Sequence, residues 1–295
     1  MPSTLHNNWR TEVPHTPHPK GVLMCPPDHF QVVDIKNDFM KGQVGLVDPV
    51  RAKEEWGNLV DAFQEQNIHV HVLTPVPNLE DLVFTANPAC IIPRETDGAD
   101  SILSRMRHDT RQAEVTVVAN WLEQHNIRTH TLPEGTGYLE GHGDILIIPG
   151  RRAALAGYGG RSDLSAIHAL SDAMQLPIHP VPLKGKPFYH LDTCMAVLNE
   201  DTLLIHEEAF AHGEREALSA LFPRILDADP DEAATVFACN VHALANGNVI
   251  VPAQATATAS VMSDAGFTPI PVDVSEFHRS GGSVFCLRLD LPGKL

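Results

Sequence analysis

No run of basic residues, no apolar stretch long enough to span a bilayer and no C-x-x-C pair occurs in the 295-residue sequence. Lys and Arg total 21 against 37 Asp and Glu, a formal net charge of -16. A chain this acidic repels a phosphate backbone, which excludes nucleic acid and anionic membranes as partners. The five cysteines, Cys25, Cys90, Cys194, Cys239 and Cys286, are odd in number and widely spaced. That argues against a disulfide framework or a zinc knuckle and leaves at least one free thiol. Metal and nucleotide motifs fail as well. His206-Glu207-Glu208 has Phe210 where a zincin needs its second histidine. Gly135, Gly137 and Gly141 miss the dinucleotide spacing by one residue and precede a strand, and there is no Walker A sequence. Neither a metal nor a cofactor is expected. Residues 1–20 are polar, rich in Pro and His and without an apolar signal core, so they are expected to form a flexible tail on a cytoplasmic protein. Residues 21–295 are expected to form a single catalytic domain.

Hydrophobic residues make up 43% and charged residues 20%, enough apolar surface for a packed core. Helical periodicity appears five times, over residues 48–66, 109–125, 161–174, 213–222 and 253–265. A short β-prone stretch follows each one, at 69–73, 128–132, 176–181, 224–227 and 268–272, several closed by proline as suits a strand end. Next in each unit come an irregular polar segment and an apolar strand, at 89–92, 145–148, 195–198, 241–244 and 284–289. In the fourth unit Asn246-Gly247 is a hairpin signal leading into Val249-Ile250-Val251. Helix centres recurring roughly every 50 residues indicate structural repeats rather than two unrelated domains. One closed, pseudo-symmetric α/β unit follows, with the polar segments of all repeats facing a common centre.

Those segments contain a thiol, an imidazole and several carboxylates and amides, the inventory of nucleophilic catalysis beside a cationic group. Cys286 follows Ser280-Gly-Gly, where glycine permits close approach of a ligand. A lone cysteine on an apolar strand is ordinarily core, and Cys25, Cys90, Cys194 and Cys239 are assigned there. The glycine loop and the His190 segment favour Cys286 as nucleophile, a thiolate being the reactive form. Seventeen histidines make any one of them weak by type alone, and position in the repeat selects His190. On an extended backbone His190 and Asp192 would share a face. Glu140 and Asp144 flank Gly-His-Gly; a carboxylate there can take a planar guanidinium by two charge-assisted contacts, while a turn cap is the plainer reading for Asp144.

Eight stretches in order resemble the guanidino-group-modifying superfamily, the pentein fold of arginine deiminases, dimethylarginine dimethylaminohydrolases and amidinotransferases. They are Met24 to Phe30, Asn37 to Met40, Phe84 to Asn87, Arg111 to Glu114, Glu140 to Asp144, Gly157 to Arg161, Phe188 to Thr193 and Ser280 to Cys286. The resemblance covers nearly all of the chain after residue 20, and departs from the usual family loop at His142. It implies a five-bladed α/β propeller of ββαβ units and a hydrolase of linear amidines. It implies Cys286, His190 and Glu140 as catalytic residues, with Asn37, Asn87, Arg111, Arg161 and Asp192 around the substrate and the two arginines on its α-carboxylate. Deiminases of this superfamily carry Arg-Asp where this chain has Ala86-Asn87, and the amide resembles the arginine dihydrolases, which yield ornithine, carbon dioxide and two ammonia. The alternatives are a dimethylarginine hydrolase or deiminase stopping at citrulline, an amidinotransferase, and a non-catalytic guanidino-compound sensor. The expected partner is a small guanidino substrate, and a homo-oligomer is compatible with an enzyme of this type.

Overall fold

Five three-stranded sheets follow one another along the chain, in a computed structural model that describes residues 4–96 and 98–292. Their middle strands are Gly21–Met24, Ala99–Leu103, Ala154–Tyr158, Thr202–Ile205 and Asn248–Pro252. Each middle strand pairs antiparallel on one side and parallel on the other. The parallel partner is reached through a helix: Pro49–Glu65, Gln112–Gln124, Leu164–Met174, Glu214–Leu221 or Thr256–Asp264. This is the expected propeller of five ββαβ units. The first sheet joins Gly21–Met24 to Leu289–Leu291, so the last strand closes the ring on the first.

The helices form where the sequence supplies both an apolar stripe and a start signal. In Pro49–Glu65 the Asp48 carboxylate accepts from the Val50 and Arg51 amides, and Pro49 occupies the first turn. Ala52, Leu59, Ala62 and Phe63 then fall on one buried face. The middle strands Gly21–Met24 and Thr202–Ile205 are buried along their whole length, so they lack the alternation that marks a half-exposed strand. No helix among the described residues is long and apolar enough to cross a membrane.

Two expectations need correction here. The apolar run 284–289 is not a strand until Leu289; before that the chain turns, and the Phe285 and Cys286 amides bond to the side chain of Asn240 instead of a neighbouring strand. The segment 4–20 packs rather than hanging loose. Leu5, Trp9 and Val13, spaced four apart, are buried in the cluster that holds Leu218 and Phe222, and the indole N–H of Trp9 donates to Leu221 O at 3.1 Å. Spacing of the apolar residues decided this, against a polar average. Residues 1–3 of the expected tail lie outside the described residues.

Candidate active site

The polar segments before the inner strands fold into short turns at the centre of the ring: Glu80–Val83, Gly141–Asp144 and Leu191–Thr193, with the loop that carries Cys286 alongside. Lys36, Asn37, Asn87, Arg111, Arg161, Tyr189 and Cys286 line one cleft there. Glu140, His190 and Asp192 lie directly behind its wall, each no more than 1% exposed. All eight residues expected from the sequence converge on this place. A wider surface hollow bounded by Pro27, Pro49, Val50 and Lys53 is lined by no thiol, hydroxyl or imidazole.

Cys286 donates its S–H to Asp192 Oδ2 at 3.1 Å and receives Asn240 Nδ2 at 3.2 Å. Burial and the neighbouring carboxylate push the thiol well above its ordinary value. Burial raises Asp192 to about 7, against the lowering effect of the bonds from Cys286 and Asn240. In this arrangement the proton sits on sulfur, and a cation brought to Asp192 would favour its release.

His190 precedes the turn Leu191–Thr193 with extended backbone, φ −128° and ψ 157°. Its Nε2 lies 2.8 Å from Glu140 Oε2, while Nδ1 is buried and has no hydrogen-bond partner among the described residues. Strand alternation is therefore not what relates His190 to Asp192. The helical turn sends Asp192 to the sulfur and leaves His190 on Glu140, so the two serve one site from different sides. Glu140 also accepts Arg161 Nη1 at 3.0 Å and the Arg107 amide at 2.9 Å. Although burial opposes its charge, the bond and charge of His190 and the charge of Arg161 hold Glu140 well below the usual carboxylate range.

Arg111 is clamped. Glu114 Oε2 accepts its Nη2 at 2.7 Å and Asn87 Oδ1 accepts its Nη1 at 3.0 Å. Asn87 Nδ2 is buried without a partner among the described residues. A Cβ on Gly143 would come within 2.6 Å of Asn87 Nδ2 and 2.8 Å of His190 Nδ1, so glycine leaves the space into which these two groups point. Asn37 accepts from the Phe39 and Met40 amides and donates to Ser280 O at 3.0 Å, tying the 31–47 loop to the loop of the nucleophile. Gly281, at φ +91°, would place a Cβ 2.6 Å from that same amide.

His142 is held between Ile91 N–H, 2.9 Å from Nε2, and Ile145 O, 2.9 Å from Nδ1. Burial, then the charge of Arg288, lowers it to about 3, so it is a neutral ring that ties two sheets together. Residues Gly141–Asp144 form a buried helical turn. Asp144 accepts from Ser162 Oγ at 2.6 Å and Leu191 N at 3.1 Å, fastening the His190 turn. Sequence reasoning missed Asn240 as a site residue. Its amide accepts from the Phe285 and Cys286 N–H groups and donates to both Sγ and Asp192 O; its position in the fourth polar segment was the available signal.

A model of the eukaryotic N,N-dimethylarginine dimethylhydrolase family matches residues 27–291. An N(G),N(G)-dimethylarginine dimethylaminohydrolase of Mycobacterium tuberculosis is 34% identical over 278 residues, 94% of this chain and 87% of that one. A bifunctional arginine dihydrolase/ornithine cyclodeaminase of Nostoc is 33% identical over 270 residues, which are 90% of this chain and 37% of that longer one. The N-terminal domain of ArgZ, an arginine dihydrolase of Cyanobacteria solved as a cysteine-to-serine mutant bound to substrate, matches with a TM-score of 0.85 and 29% identity, covering 92% of this chain and 97% of that one.

Proposed function

Since the chain belongs to the N,N-dimethylarginine dimethylhydrolase family, we propose that it is a cysteine hydrolase of arginine that carries the reaction through to ornithine. The carrying observation is the amide at Asn87, which lies on the same cleft wall as the Cys286 sulfur. A carboxylate there would hold a cationic guanidinium by charge, whereas an amide also serves a neutral ureido group. The supporting likeness is to arginine dihydrolases over 90% or more of this chain.

In this reading the substrate guanidinium meets Asp192, and its positive charge offsets the thiolate that forms on Cys286. Sulfur attacks the guanidinium carbon; His190, oriented by Glu140, protonates the departing ammonia and then takes a proton from the water that opens the thiouronium. A second attack on the ureido carbon releases the second ammonia. Hydrolysis of the resulting S-acyl intermediate leaves a carbamate that loses carbon dioxide. Two waters are consumed per arginine, giving ornithine, carbon dioxide and two ammonia. Arg111 and Arg161 take the α-carboxylate, and Asn37 positions the loop over it. The five free cysteines suit a reducing, cytoplasmic setting.

A dimethylarginine hydrolase is the second reading, favoured by the family model and the mycobacterial relative. Incubation with L-arginine and with dimethylarginine, followed by mass identification of every nitrogen-containing product, separates the two. Ornithine with two ammonia per arginine is the expected result. Citrulline as the end product, with dimethylamine from the methylated substrate, would overturn the dihydrolase reading.

A further inference from the structure

Two residues beyond the nucleophile, Arg288 is 1% exposed, as deeply buried as Cys286. Removing a guanidinium from water costs several kcal/mol unless its donors are matched, so a buried arginine with unmatched donors needs a reason. Its Nη1 lies 3.2 Å from Asp290 Oδ2, yet Nε and Nη1 make no aligned hydrogen bond among the described residues. The guanidinium carbon instead sits 3.5 Å from the centre of the Phe285 ring. Phe285 and Cys286 donate their amides to Asn240 Oδ1, and Asn240 Nδ2 meets the sulfur. The cation therefore rests against the turn that presents the thiol, and it is the charged neighbour of the nucleophile that the proposed chemistry leaves without a task.

Ionising Cys286 places a second negative charge 3.1 Å from the Asp192 carboxylate, an arrangement that interior electrostatics disfavours strongly. We infer that Arg288 is a positioning residue for the reaction: its fixed positive charge, held behind the Phe285–Cys286 turn, lowers the cost of a thiolate beside Asp192. The inference rests on Cys286 being the nucleophile. The charged and titratable groups that interact with Arg288 are Asp290, Asp192, Cys286, His142 and His242. Burial and the Arg288 charge keep both histidines neutral. Burial works against the charge of Arg288 itself, while Asp290, Asp192 and Cys286 support it. Asp290, 22% exposed at its side chain, is the carboxylate that competes with the sulfur for this cation.

The experiment measures the rate of Cys286 alkylation by iodoacetamide against pH, without substrate, in wild type, Arg288→Met, Arg288→Lys and Asp290→Asn, with Cys286→Ala as the blank. Arg288→Met should raise the midpoint by about one pH unit and slow alkylation near neutrality about tenfold. Arg288→Lys should stay close to wild type. Asp290→Asn, which frees the cation from its competitor, should move the midpoint the opposite way; if Arg288→Met does not fold, this variant and Arg288→Lys still decide the matter. Midpoints that stay put, or that move in the same direction in Arg288→Met and Asp290→Asn, overturn the inference. Retained turnover in Cys286→Ala would instead overturn the assignment of the nucleophile.

Discussion

Arg161 and Glu140 form a buried ion pair, Nη1 to Oε2 at 3.0 Å, on the same oxygen that lies 2.8 Å from His190 Nε2. One carboxylate oxygen thus couples the imidazole to an arginine on the cleft wall. Arg161 has few other ties, donating to Lys36 O at 2.8 Å and lying 4.9 Å from the Tyr189 ring, whereas Arg111 is locked by Glu114. A substrate carboxylate would draw Arg161 off Glu140 and leave Arg111 in place. In Arg161→Ala, KM for arginine should rise roughly 100-fold, the loss of about 2–3 kcal/mol of charge-assisted bonding. A guanidine without a carboxylate should be affected far less. Steady-state kinetics on arginine and agmatine check this, and equal losses on both would contradict it.

Asn87 should decide where the reaction stops. Its Oδ1 accepts from Arg111, and its Nδ2 is a buried donor without a partner among the described residues. Asn87→Asp exchanges that donor for a charge, which suits a guanidinium and penalises a neutral ureido oxygen. Citrulline should accumulate while arginine consumption continues. Product masses over a long incubation check it; an undiminished ornithine yield would sink the idea.

Asn240 should matter to kcat rather than to KM. It receives two amides of the nucleophile loop and donates to the sulfur at 3.2 Å. Asn240→Ala leaves those groups unpaired at about 1–3 kcal/mol, so kcat should fall roughly 10- to 100-fold. Asn240→Asp should be worse, because it adds a negative charge next to Asp192. Full kcat in Asn240→Ala at a reduced melting temperature would reduce its role to stability.

His142 should give the fold a pH dependence. Its pKa in the folded chain is about 3, below the ordinary histidine value of about 6.5. The unfolded chain therefore binds the extra proton first as pH falls. The stability due to the neutral ring is complete above about 6.5 and is lost at about 1.4 kcal/mol per pH unit down to about 3. His142→Gln should be less stable at neutral pH, with the gap to wild type narrowing as pH falls through this window. Denaturant titrations at several pH values check it, and a gap that stays constant would mean the ring is already charged in the folded protein.

Sequence pattern located the five helices within a few residues and matched 224–227 and 268–272 to the observed outer strands. Their apolar stripes and turn residues are local signals. Gly21–Met24, Ala99–Leu103, Ala154–Tyr158 and Thr202–Ile205 were not singled out as strands, because they are four or five residues long and mostly buried on both faces, with no period to detect. The residues of the site were legible as polar interruptions at matching points of a repeat. Their contacts were not. The bond of Asn240 to the sulfur spans 46 positions and that of Asp192 spans 94, and no local pattern encodes such a distance. Trp9 was lost in a polar average for the same reason, since its partner Leu221 lies 212 positions away.

The pairing of Gly21–Met24 with Leu289–Leu291 has a consequence for biosynthesis. A ribosome releases Gly21–Met24 well before Leu289–Leu291, and Cys286 emerges only three residues ahead of that closing strand. Until then one edge of the first sheet stays unsealed, open to pairing with another chain, and the Cys286 sulfur is not yet there to meet Asp192. Closure of the circle and arrival of the proposed nucleophile therefore fall within a few residues of each other, so a chain that still lacks its closing strand also lacks the proposed site.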